Sequence, residues 1–257
     1  MQLYKGMDIG TAKVPPADRQ GVPHHLLDVW DVSVTATAAA YQGLCREVLA
    51  DLAQRGVPAI LVGGSGLYIR AALDRIEFPG TDPELRAALE QEAAEVGPEA
   101  LHARLAELDP AAAARMQPTN ARRVVRALEV VLMTGSMPGA LTDYPMHIEA
   151  TYVGLDRPDL AERVATRVDR MWAEGLVDEV KALPELGPTA RRALGYAQAL
   201  AQLEGTLTEQ QAKEQTVAAT NRFVRRQRAW FRRDPRVRWL PTGPNALADA
   251  LDATRSD

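Results

Sequence analysis

One stretch limits the possible folds of this chain more than any other. Val57-Pro58-Ala59-Ile60-Leu61-Val62 is a continuous apolar run that passes directly into Gly63-Gly64-Ser65-Gly66. Such a run suits a strand covered on both faces, as in a parallel sheet. Before it, Thr37 to Gln54 spaces Tyr41, Leu44, Cys45, Val48, Leu49 and Leu52 by three and four, which predicts a helix stopped by Gly56. After it, Leu67 to Leu73 reads as a second helix. Helix, buried strand, glycine turn and helix together predict an α/β domain with a parallel sheet.

The first 30 residues hold Gly6, Gly10, Pro15, Pro16, Gly21 and Pro23 and read as loop. From Asp82, an N-cap followed by Pro83, the chain turns helical, with a break at Gly97-Pro98. Helical stretches are expected over Glu99 to Leu108, Asp109 to Met116 and Ala121 to Met133. Thr119 or Asn120 caps the last of these and Gly135 ends it. Ala150 to Leu155 is a second strand candidate. Helices follow over Asp159 to Ala173, Leu176 to Leu183 and Thr208 to Phe231, with a short one from Leu247. No apolar run approaches the ~20 residues that span a bilayer, and no signal-peptide pattern follows Met1. The single cysteine, Cys45, excludes an internal disulfide and suits the apolar face of its helix. A cytoplasmic protein is expected.

Charge is unevenly placed. Residues 222 to 238 hold eight arginines and one acid, in a chain whose formal net charge is −4. Phe223, Trp230, Phe231 and Trp239 are interleaved with those arginines. Arginines bind phosphates and aromatics stack on bases, so nucleic acid is the favoured partner of this segment. A membrane surface or a plain solvated helix are the competing readings. Arg122 and Arg126 share a helix face with Arg123 alongside, for a phosphate or for pairing with Glu129. Arg163, Arg167 and Arg170 repeat the pattern beside Glu162 and Asp169, which could pair with them. The glycine turn could hold an anion or let a ligand approach closely, or it could be a tight turn needing positive φ. His24, His25, His102 and His147 show no metal-ligand spacing, and no G-x-x-x-x-G-K-[ST] occurs.

Several segments, in this order, resemble the bacterial tRNA dimethylallyltransferases, also called tRNA isopentenyltransferases. They are Gln2-Leu3-Tyr4-Lys5-Gly6-Met7-Asp8-Ile9-Gly10-Thr11-Ala12-Lys13, Val22 to Asp28, and Val62-Gly63-Gly64-Ser65-Gly66-Leu67-Tyr68. Arg123-Val124-Val125-Arg126-Ala127-Leu128-Glu129-Val130, Ala193-Leu194-Gly195-Tyr196 and Arg225-Arg226-Gln227-Arg228-Ala229-Trp230-Phe231-Arg232 complete the set. The resemblance implies a P-loop-type parallel α/β core, over 1–80 and 118–257, with a helical insertion over about 81–117. It implies transfer of a dimethylallyl group from dimethylallyl diphosphate to N6 of the adenine on the 3′ side of the anticodon, assisted by Mg²⁺. The partners are then the anticodon stem-loop of tRNA and dimethylallyl diphosphate, and the protein is expected to be a monomer.

Carried over residue by residue, the implied tRNA contacts are Gln2, Ser65, Arg86, Arg122, Arg123, Arg126, Arg192, Gly195 and Tyr196. Arg225, Arg226, Gln227, Trp230 and Arg232 continue them on the basic helix. Arg163 and Arg167 are implied for the diphosphate. Ser65 stands where the family usually has Thr, Arg122 where Gln is common, and Asn221 where Arg is usual. The stretch from Gly135 to Met146 is shorter than the family's. The family's phosphate-binding loop and the Asp expected as general base both precede the position of Met1. A chain beginning at Met1 is therefore expected to bind tRNA without prenylating it, and no residue within it is assigned as base. An RNA-binding protein without catalysis and a P-loop kinase-like enzyme are the alternatives.

Overall fold

The computed structural model describes residues 1–139 and 143–255. The helices are α1 (Ala38–Gln54), α2 (Gly66–Leu73), α3 (Pro83–Val96), α4 (Pro98–Leu108), α5 (Pro110–Ala113) and α6 (Ala121–Thr134). They are followed by β1 (Tyr152–Leu155), α7 (Leu160–Ala173), α8 (Leu176–Ala182), α9 (Tyr196–Leu203), α10 (Glu209–Phe231), β2 (Val237–Leu240) and α11 (Ala246–Arg255). The fold is α/β and mostly helical. β1 and β2 pair in parallel, from Tyr152 opposite Val237 to Leu155 opposite Leu240. Gly154 lies in β1 because a Cβ there would come within 2.8 Å of the Trp239 ring.

Local signals act where the sequence places them. Thr37 caps α1 by accepting from the Ala40 amide at 3.1 Å. Asp82 Oδ1 accepts from the amides of Glu84 and Leu85, both at 3.0 Å, and Pro83 opens α3. Asn120 caps α6, and Gly135, in the left-handed region at φ 85°, ends it. The helix expected over Asp109 to Met116 is only α5, capped by Asp109. Of the stretch expected to be shortened, residues 140–142 lie outside the described residues.

The strand expected at Val57 to Val62 does not form. Ile60 and Val62 are 89% and 87% exposed, and the segment pairs with no other among the described residues. A strand is satisfied only by a hydrogen-bonding neighbour.

The chain divides into two compact units, residues 1–74 with 146–257, and residues 75–145. The second unit is wider than the expected insertion over 81–117. It takes in α6 because Val124, Val125 and Leu128 pack on Leu89, Leu101 and Leu105 of α3 and α4. Its two ends emerge side by side: Asp74 and Met146 form an antiparallel bridge, and the His147 amide donates to Leu73 O at 2.7 Å.

The core of the first unit gathers Tyr4, Met7 and Val32 from the opening loop with Val168, Trp172, Leu176 and Tyr196. That loop is held by polar contacts. Buried Lys13 Nζ donates to Tyr4 O at 2.9 Å and to Asp8 and Asp28 at 2.5 Å each. Glu179 accepts from the amides of Asp8 and Ile9 at 3.0 and 2.8 Å, and from the Tyr196 hydroxyl at 2.5 Å.

Candidate functional site

In the first unit, α10 brings most of the expected site together. Thr208 and Gln211 form a reciprocal capping box at its start. Buried Ala212 and Thr216 seat its first turns, and beyond them the helix surface is basic. Its second half lies against the glycine turn. A Cβ on Gly64 would fall 2.5 Å from Gln227 Nε2, and one on Gly66 would fall 1.9 Å from Trp230 Nε1. None of Gly63, Gly64 and Gly66 has positive φ. The turn therefore uses glycine for close approach, and the positive-φ reading is corrected. Ser65 begins α2 in extended backbone, is exposed, and its hydroxyl does not cap the helix. Ser65, Gln227 and Trp230 thus share one neighbourhood.

The arginines of α10 fall into two groups. Arg222 and Arg225 are exposed without a polar partner among the described residues, and Arg226 lies 6.0 Å over the Phe223 ring. Arg228 and Arg232 are paired already. Arg228 donates through Nε to Asp156 Oδ1 at 2.7 Å and through Nη2 to Arg157 O at 2.7 Å, and Arg232 reaches Asp156 Oδ2 at 3.1 Å.

The end of the basic segment is structural, which the sequence reading missed. Arg236 bonds Asp74 Oδ1 at 2.6 Å and Asp234 Oδ2 at 2.7 Å, with its guanidinium 4.3 Å over the Tyr152 ring. Arg70 Nε holds the other oxygen of Asp74 at 2.6 Å. Burial pushes the Tyr152 phenol up to about 12. Burial also opposes the charge of Asp234, but the bonds from Arg236 outweigh it and hold the carboxyl below its usual range. The i,i+4 spacing of Arg70 and Asp74 was the available signal.

Other expected residues stand on other elements. Gln2 Nε2 donates to Thr11 O and Ala12 O at 3.0 and 3.1 Å, inside the opening loop. Tyr196 is wholly buried, with its ring against Gly10, and Gly195 at φ 87° starts α9. Both serve packing in this structure. Arg192 is exposed, on an open cleft of about 510 Å³ with Ser33, Glu185 and Arg191. On α7, Val164, Val168 and Met171 face the core, and Arg163 and Arg167 face out. Their side chains have no ion-pair partner among the described residues, so the expected pairing with Glu162 and Asp169 is absent, while Arg170 meets Glu174 at 3.5 Å.

In the second unit, Arg122 and Arg123 are exposed, and their side chains have no ion-pair partner among the described residues. Arg126 and Arg86 converge on Glu129, which is wholly buried. Arg126 reaches it at 2.9 Å and also donates to Pro79 O at 2.7 Å, while Arg86 Nε reaches it at 3.0 Å. The Asp82 amide adds a bond at 3.0 Å. Burial raises the Glu129 carboxyl, but these donors more than reverse that and hold it below the usual range. The sequence reading that paired this helix with Glu129 thus holds for Arg126 alone.

Among the described residues no group of three or more His, Cys, Asp or Glu side chains is arranged to hold a metal ion, and no helix is long and apolar enough to cross a membrane.

An exposed arginine–aromatic helix laid on a glycine turn, within an α/β fold, defines a class of protein that handles phosphate-bearing ligands. The family model for IPP transferases matches residues 2–234. The tRNA dimethylallyltransferase of Thermobifida fusca is 59% identical, over 100% of this chain and 84% of the relative. The full-length tRNA isopentenylpyrophosphate transferase of Bacillus halodurans is 33% identical, with a TM-score of 0.68, over 99% of this chain and 84% of that one. A eukaryotic dimethylallyltransferase acting on tRNA shares the fold, with a TM-score of 0.77 at 22% identity, over 100% of this chain and 69% of that one. The chain belongs to the IPP transferase family and is an enzyme of that family.

Proposed function

We propose that this protein binds the anticodon arm of tRNA and serves the transfer of a dimethylallyl group from dimethylallyl diphosphate to N6 of the adenine 3′ to the anticodon, acting as a cytoplasmic monomer. The observation that carries the reading is the seating of Gln227 and Trp230 on the Gly64–Gly66 turn, beside the free Ser65 hydroxyl. An adenine drawn out of its loop needs a stacking surface and a hydrogen-bonding group at one place. Trp230 and Ser65 supply these, and the exposed Arg222, Arg225 and Arg226 take the flanking phosphates. Arg163 and Arg167, unpaired on α7, suit the diphosphate that leaves. Mg²⁺ would lend charge neutralisation to that leaving group.

The test is retention of an anticodon stem-loop with adenine at that position against the same RNA with uridine there. Preferential retention of the adenine RNA is expected, with salt-sensitive affinity. Equal retention of both overturns the reading. Incubation with labelled dimethylallyl diphosphate then measures label at N6. Selective binding without label would confine the chain to RNA recognition.

A further inference from the structure

We infer that Asp156 is an internal stand-in for an RNA phosphate, and that it sets how far α10 discriminates between RNAs. The inference rests on the RNA reading of α10. Arg228 and Arg232 lie one turn apart on one face of α10. Both carboxylate oxygens of Asp156, which directly follows β1, are occupied by them: Oδ1 by Arg228 at 2.7 Å and Oδ2 by Arg232 at 3.1 Å. That is the contact a phosphate makes with a pair of arginines. The neighbouring acid, Asp159, is taken by Arg157 through two bonds of 2.9 Å. Arg222 and Arg225 at the other end of the same stretch are exposed, with no ion-pair partner among the described residues.

One helix thus carries an open half and a closed half. Any polyanion can meet the open arginines. To gain Arg228 and Arg232, it must displace Asp156, and the freed carboxylate then repels it. An RNA whose base also stacks at Trp230 brings enough additional attraction to complete the exchange. An RNA without that base stays on the open half. The Arg232 side chain is 63% exposed, so its pair with Asp156 is weak enough to open.

The experiment compares Asp156→Asn with the wild-type chain on the adenine stem-loop and on poly(U) of equal length, across 50 to 200 mM salt. The variant should bind poly(U) about three- to tenfold more tightly at the lower salt, and its salt slope should steepen by about one to two. Its preference for the stem-loop should shrink. In the double variant Asp156→Asn/Arg232→Ala the slope should fall back toward wild type, which separates released charge from altered folding. Unchanged slopes in Asp156→Asn overturn the inference. Weaker binding to both RNAs also overturns it and makes Asp156 a brace for the arginines. A wild-type chain that binds neither RNA overturns the RNA reading itself, and this inference with it.

Discussion

Arg226 and Arg232 carry the same charge and stand in different surroundings. Arg226 lies over Phe223 and faces no acid among the described residues, whereas Arg232 shares Asp156 with Arg228. Replacing Arg226 by Ala should therefore flatten the salt dependence of tRNA binding by about one counterion. Arg232→Ala should flatten it by less, because the acid it leaves behind had already cancelled part of its charge. Equal slopes for the two variants would count against the division of α10. At Ser65 the expected loss is a single hydrogen bond to the bound base. Ser65→Ala should weaken binding of the adenine stem-loop by up to about tenfold, equivalent to about 0.5–1.5 kcal/mol, while Ser65→Thr should stay near wild type. An Ala variant with full affinity removes Ser65 from the site. The sequence displayed the arginines of α10 and the hydroxyl at Ser65 plainly. It could not display their partners, since Asp156 lies 76 positions from Arg232 and Asp74 lies 162 from Arg236. Pairings at that range are properties of the fold.

Helices were legible where their ends are written within four residues, as at Thr37, Asp82-Pro83, Asn120 and Gly135. Strands were not. Val57 to Val62 has a strand's composition but no neighbour among the described residues, and β2 was hidden because Arg236 and Arg238 made it look like more of the basic segment. The glycine turn shows a further limit of reading by residue type. Glycine at 66 is needed for what lies above it, and its own φ is ordinary. Gly66→Ala should cost about 1–3 kcal/mol through collision with Trp230. Gly66→Ala/Trp230→Ala should recover much of that loss in a thermal melt. No recovery would mean that the turn itself, and not the contact with α10, demands glycine.

At the scale of the whole chain, part of the acid sensitivity should trace to Glu129 in the second unit. Its folded carboxyl titrates below the ordinary value of about 4.3. Its contribution is therefore full above that value and is lost as pH falls through the depressed folded value. Glu129→Gln leaves Arg86 and Arg126 facing a neutral group and should cost about 3 kcal/mol at pH 7. The gap in melting temperature between wild type and variant should narrow below pH ~4, and a gap independent of pH would refute the assignment. The antiparallel bridge between Asp74 and Met146 has a consequence for how such a chain changes over time. Bridged residues sit only about 5 Å apart, so the polypeptide leaves and re-enters the first unit through what amounts to a hairpin neck. Everything between Arg75 and Pro145 is then a removable cassette with its own apolar interior. Lengthening or shortening that cassette should leave the neck untouched, and a glycine–serine turn of two to four residues in its place should yield a shorter chain that still unfolds cooperatively.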